Sequence, residues 1–223
     1  ICELDQALAS GQRALAIAAD LGDVSLTVTA QHYLGNAHRS LGNYRRAIEF
    51  LQKNVACLHS ELRQELFGLH ALPAVSSRYS LVYCLAECGA FTEGRAPAEE
   101  GVQIAEAADH PYSRVLAYYA AGFRALRQGN LYQALPGLER ALALAREVYL
   151  RLLFPQAAAT LGAAYTLAEL DEMLATAGSS RPRPSPGAPL PPPPSPWRWT
   201  AMPFASTRRS ATSPAAASCS APV

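Results

Sequence analysis

Several features that would assign a function quickly are missing from this sequence. It has no apolar run approaching the roughly 18 residues that a membrane-spanning helix needs, so we expect no membrane partner. Its five cysteines include no CxxC pair and no spacing typical of a disulfide framework, which favours a reducing, cytoplasmic setting. No basic segment followed by an apolar run precedes a cleavage site, so the sequence predicts no signal peptide.

Catalytic motifs are missing too. The sequence contains no GxxxxGK[ST] phosphate loop, no GxGxxG, no HExxH and no GxSxG. Neighbouring acids such as Glu99 and Glu100 point about 100° apart on a helix, which is typical of a solvated face rather than of an acid/base pair. Cys84 and Cys88 lie four residues apart without a second Cys/His pair, so we interpret them as packing residues. The sequence therefore predicts a protein that is not an enzyme and binds no metal or cofactor.

Charge is unevenly distributed along the chain. Residues 1–172 contain 14 basic and 18 acidic side chains, a net charge of −4, whereas residues 173–223 contain five arginines and no acid. A mildly acidic body lacks the basic stripe that a nucleic-acid surface requires. We therefore expect no nucleic-acid partner.

Helical periodicity is the strongest positive signal, and it is clearest in residues 34–55. Gly42 can end one helix in a left-handed conformation, and Asn43 can accept backbone N–H bonds at the start of the next. Apolar side chains then recur at helical spacing: Tyr44, Ala47, Ile48 and Leu51. The segment therefore predicts a helical hairpin.

The hairpin pattern recurs along the chain. The turn glycines Gly42, Gly89 and Gly129 are 47 and 40 residues apart. The small-residue positions of successive second helices keep intervals of 40, 47 and 40: Ala14, Asn54, Gly101 and Ala141. A repeat of about 40 residues follows, with the extra seven in a connection around Pro73 that carries apolar side chains and should pack on the repeats.

These signals divide the chain into two regions. We predict a helical repeat region over residues 1–176 with a half repeat, three full repeats and a partial repeat: 4–21, 24–62, 75–107, 111–148 and 152–170. Because the outermost repeats lack a partner helix, we expect the chain to be a piece of a longer protein. Residues 177–223, rich in Pro, Ser, Ala and Arg, are predicted to be disordered. We interpret them as a non-native, frame-shifted end. The alternative is a proline-rich segment, anchored by Trp197 and Trp199, that binds an aromatic-lined groove of another protein.

The central hairpin resembles the tetratricopeptide repeat in its Leu34-Gly35, Gly42-Asn43-Tyr44 and Ala47 positions. This resemblance implies an all-α fold, a right-handed superhelix of antiparallel helical hairpins, whose first helices line a groove for a protein or peptide. Eight side chains occupy the groove positions that the resemblance implies: His32, Asn36, Arg39, Tyr79, Tyr83, Tyr119, Phe123 and Arg127. The alternative is that these aromatics pack between neighbouring hairpins.

Longer phrases are similar to the carboxy-terminal repeat region of large bacterial signalling proteins, in which a class III adenylate/guanylate cyclase domain and an AAA-type ATPase domain precede the repeats. The phrases are FGLHALPAV at residues 67–75, residues 99–113, and GNLYQALPGLERALALA at residues 129–145. Neither catalytic domain occurs in this chain. The resemblance implies a scaffold for an unidentified protein or peptide. The alternatives are a small-effector sensing module and a truncated, frame-shifted fragment without independent function.

Overall fold

The structure, a computed structural model, describes residues 3–178 of the chain. This part contains eight α-helices and one short 3₁₀ helix, Ser60–Gln64, and no β-strand, which confirms the predicted all-α class. The α-helices are α1 Leu4–Leu21, α2 Val24–Ser40, α3 Tyr44–Cys57, α4 Pro73–Glu87, α5 Arg95–Ala107, α6 Pro111–Arg127, α7 Leu131–Glu147 and α8 Leu153–Gly178. Residues 179–223, to which the prediction of disorder applies, lie outside the described part.

The helices pack in two ways. Each α-helix contacts the next one along the chain, from α1 through to α8. The even-numbered helices, which are the predicted first helices of the repeats, also contact one another in order: α2 against α4, α4 against α6, and α6 against α8. Side chains that face the same way on α2, α4 and α6 are thereby brought side by side.

Most of these helices end in the same backbone turn. After α2, Gly42 has φ +76° and donates its N–H to Arg39 O, while the Asn43 N–H reaches back to His38 O. This pair of bonds satisfies carbonyls that the end of a helix leaves open. Asp109 and Tyr149 make the equivalent bonds after α5 and α7, with φ of 45° and 54°. The chain therefore forms the turn even where glycine is missing.

The connection between α3 and α4 is packed against the helices. Leu58 and Leu72 are buried, and the Leu72 N–H donates to Ser113 Oγ of α6 over 3.0 Å. The helix that we expected to continue to Leu62 ends at Cys57, because Leu58 takes a non-helical conformation as it enters the core. Pro73 is the first residue of α4, where its missing N–H costs no hydrogen bond.

Helix α8 is longer than the sequence predicted. It continues to Gly178, beyond the predicted partial repeat 152–170 and two residues into the region assigned to the tail. Its face at Gly162 is open, since a Cβ built there would meet no atom within 4 Å. None of the helices between residues 3 and 178 combines the length and the apolar character that crossing a bilayer requires.

Candidate binding site

Helical spacing aligns the predicted groove residues on three neighbouring helices. Tyr79 and Tyr83 are four residues apart on α4, and Tyr119 and Phe123 are four residues apart on α6. Residues at this spacing share one face of a helix. Because α4 packs on α6, the two pairs meet.

The four rings form a continuous set of contacts. Tyr83 stacks on Phe123 with ring centroids 4.6 Å apart and an interplanar angle of 5°. Tyr79 lies 5.9 Å from Tyr119 at 53°, and Tyr119 lies 5.8 Å from Phe123 at 14°. These separations are in the range where aromatic pairs attract one another beyond simple burial.

An arginine lies at each end of the rings. The Arg39 guanidinium carbon is 5.0 Å from the centroid of the Tyr83 ring and 5.8 Å from that of Tyr79. Arg127 lies 6.0 Å from the Phe123 centroid, and its Nη2 pairs with Glu87 Oε2 at 2.6 Å. We call the six side chains the arginine–aromatic row: Arg39, Tyr79, Tyr83, Tyr119, Phe123 and Arg127.

Burial divides the row into two parts. Tyr79 of α4 and Tyr119 and Phe123 of α6 are buried, with less than a tenth of their surface exposed. The Tyr119 hydroxyl lies 3.0 Å from Thr160 Oγ1 of α8, and burial is the main cause that raises the pKa of Tyr119 to about 12. These three residues hold the helices together, whereas Arg39, Tyr83 and Arg127 retain exposed surface.

The other two predicted residues, His32 and Asn36, form a polar network with Arg39. Arg39 Nε donates to Asn36 Oδ1 over 3.3 Å, and Ser80 Oγ donates to the same oxygen over 2.8 Å. Because Arg39 Nε can only donate, the atom it faces must be the amide oxygen. The amide nitrogen Asn36 Nδ2 then lies 3.0 Å from His32 Nε2 and donates to it. The neutral His32 ring therefore carries its proton on Nδ1.

His32 is neutral at physiological pH. Desolvation, followed by the positive charge of Arg39, lowers the pKa of His32 to about 4. Its Nδ1 is buried and has no hydrogen-bond partner in the described part of the chain.

A cavity of about 470 Å³ opens beside this network. Four predicted residues border it, namely His32, Asn36, Arg39 and Tyr79, whereas Tyr83, Tyr119, Phe123 and Arg127 do not. The sequence prediction missed the rest of the lining, which consists of Tyr33, Leu69, His70, Ala71, Ser76, Ser80, Tyr112, Leu116, Leu152, Leu153 and Gln156.

Some of these missed residues carry a signal in the sequence. Ser76 and Ser80 lie on the face of α4 that also presents Tyr79 and Tyr83, so helical spacing alone could have identified them. Leu69 and His70 belong to the connection before α4, and Leu152 precedes α8. Periodicity gives no information on where such residues lie.

The buried cysteine of α4 is a packing residue. Cys84 is fully buried, and burial is the main cause that raises the pKa of its thiol to about 12. Such a thiol stays protonated and unreactive at neutral pH. Cys88, one turn later, is exposed. Residues 3–178 hold no group of three or more His, Cys, Asp or Glu side chains arranged to bind a metal ion.

Comparisons with known proteins add no assignment, because no protein-family model and no curated protein matches this chain.

Proposed function

We propose that this chain is a non-catalytic helical-repeat scaffold that binds a protein or peptide along α2, α4 and α6. The observation that carries the proposal is the arginine–aromatic row, which joins residues of α2, α4 and α6 in one set of contacts. The resemblance to the tetratricopeptide repeats of bacterial cyclase/ATPase proteins supports a right-handed superhelix and a regulatory role in a larger, cytoplasmic signalling protein.

The exposed members of the row suit a peptide partner. Arg39, Tyr83 and Arg127 come from different helices, so an extended segment crossing the helices could contact all three. Tyrosine and arginine are enriched among residues that dominate binding, since they combine large contact area with directed hydrogen bonds. Arg39, which has no ion pair within residues 3–178, favours a segment with an acidic side chain, whereas Arg127 is already paired with Glu87. The rings favour apolar side chains.

Peptide selection on the full chain tests this proposal. Peptides selected from a random library would be labelled, and their dissociation constants measured by fluorescence anisotropy for the wild type and for Tyr83→Ala. We expect Tyr83→Ala to weaken binding by about tenfold or more, as truncation of a central contact residue does. Tyr132→Ala is the matched control because Tyr132 is 90% exposed on α7, away from the row. It should leave affinity unchanged.

Circular dichroism separates binding from folding. Tyr83→Ala should retain the helical signal of the wild type, whereas Tyr119→Ala, which empties a buried position, should lose stability. Equal affinity of Tyr83→Ala and Tyr132→Ala for every selected peptide would reject the row as the binding surface.

A further inference from the structure

We propose that the cavity beside Arg39 binds the carboxylate of a small organic acid. The cavity shares Arg39 and Tyr79 with the arginine–aromatic row, but the proposal does not require that a peptide binds there. Its chemistry follows from the charge of the lining, the unused donors of Arg39, two unpartnered polar groups and the size of the cavity.

The lining of the cavity carries the positive charge of Arg39 and contains no aspartate or glutamate. Two other arginines of the described part that are partly or fully buried pair with acids, Arg78 with Glu100 and Arg114 with Glu106 and Asp109, whereas Arg124 bonds the neutral Gln128. Within residues 3–178, Arg39 has no such ion pair. A half-buried cation without a counter-ion favours an anionic ligand.

Arg39 also has unused donors in a fixed position. Its Nε–H is occupied by Asn36 Oδ1, and its guanidinium carbon lies within 6 Å of the ring centroids of Tyr79 and Tyr83, at 5.8 Å and 5.0 Å. No hydrogen-bond partner in the described chain takes the N–H groups on Nη1 and Nη2. A guanidinium held in this way can bind both oxygens of a carboxylate at a small cost in side-chain entropy.

Two further polar groups of the lining lack partners. Ser76 is 6% exposed, and its hydroxyl makes no hydrogen bond. His32 Nδ1, which carries the ring proton, is likewise unpartnered. Buried polar groups are nearly always hydrogen-bonded, so unsatisfied donors around one cavity indicate a missing acceptor.

The size and the apolar surface of the cavity define the rest of the ligand. A volume of about 470 Å³ lies within the range of roughly 300–1,000 Å³ that small-molecule pockets occupy. Leu69, Leu116, Leu153 and Tyr112 supply apolar surface to the lining. A monocarboxylic acid with an aromatic or aliphatic body fits this combination better than an inorganic anion does.

A titration of the full chain with matched acids and amides tests the proposal. Benzoate and hexanoate would be compared with benzamide and hexanamide, which keep the hydrocarbon part of the ligand and lack its charge. Binding would be followed by the backbone chemical shifts in ¹H–¹⁵N spectra of the protein. We expect saturable shifts of residues around the cavity for the acids and affinities about tenfold or more weaker for the amides. Arg39→Gln should weaken acid binding by a similar factor, while Arg45→Gln, an equal charge change at an exposed site on α3, should not.

Three results would overturn the proposal. They are equal binding of acids and amides, shifts confined to residues outside the cavity, and binding of acidic peptides without binding of either small acid. If circular dichroism shows that Arg39→Gln does not fold, the comparison of acids with amides on the wild type still tests the proposal. Peptide binding at the row is measured separately, so failure of one proposal leaves the other standing.

Discussion

At the scale of single residues, Tyr149 is one of four non-glycine residues in the described part whose φ is positive, with Ser60, Phe67 and Asp109. Tyr149 ends α7 with φ +54°, a conformation that costs an L residue about 1–2 kcal/mol. Its side chain is 87% exposed, so little packing is lost on removing it. We predict that Tyr149→Gly raises the free energy of unfolding by about 1 kcal/mol, measured by urea denaturation.

Tyr149→Ala is the control for this prediction. It removes the ring but retains the strained Cβ, so it should leave stability close to that of the wild type. If Tyr149→Ala raised the free energy of unfolding as much as Tyr149→Gly does, relief of backbone strain would not be the cause of the gain.

His32 makes stability depend on pH. Its pKa is lowered from 6.5 to about 4 in the folded chain, so the unfolded chain binds more protons between these values. The free energy of unfolding should therefore fall as pH decreases from about 6.5 to about 4 and stay level above this window. Protonation of His32 would also make its Nε2 a donor, so the hydrogen bond with Asn36 Nδ2, which is a donor too, would be lost.

The measurement is chemical denaturation at several pH values for the wild type and His32→Gln. The difference in free energy of unfolding between the wild type and His32→Gln should become smaller as the pH falls from about 6.5 to about 4, because glutamine does not titrate. A difference that stays constant from pH 7 to pH 4 would contradict the account of this histidine.

At the scale of the helices, glycines set how closely neighbours pack. A Cβ at Gly35 would lie 2.8 Å from the Leu51 side chain, and one at Gly122 would lie 2.8 Å from Leu138 Cγ and 2.9 Å from its backbone nitrogen. We predict that Gly35→Ala and Gly122→Ala each lower the free energy of unfolding by about 1–3 kcal/mol. The loss should be larger at Gly122, because the backbone of Leu138 cannot move aside as the Leu51 side chain can.

Gly162→Ala is the matched control on α8. Its Cβ would meet nothing within 4 Å, so the gain in helix propensity should raise stability by up to about 1 kcal/mol. Thermal unfolding followed by circular dichroism measures all three variants. A loss at Gly162 comparable with that at Gly35 would show that another helix covers α8 there.

The sequence predicted the existence of the helices better than their ends. Turn glycines such as Gly42 located the hairpins because a left-handed residue is required there. Asp109 carries a weak local signal, because aspartate tolerates the left-handed conformation, whereas nothing in the local sequence marked Tyr149, whose intrinsic preference is against it. The end of α3 at Cys57 depends on burial of Leu58, which is a tertiary effect.

At the scale of the whole molecule, the site was predictable only in part. Periodicity and the resemblance placed Arg39, Tyr83 and Phe123 on first helices, and the packing of α2, α4 and α6 brings them into contact. The cavity depends as well on the path of the connection that contributes His70, which no helical period describes. Burial of Tyr119 also could not be read from spacing, because exposed and buried groove positions share the same period.

Amide hydrogen exchange of the full chain, with and without a selected peptide, tests the central claim most directly. The account predicts that the peptide slows exchange in α2, α4 and α6, with the largest effect near Arg39, Tyr83 and Arg127. Slower exchange confined to α1, α3, α5 and α7, with α2, α4 and α6 unchanged, would contradict a binding face on the first helices.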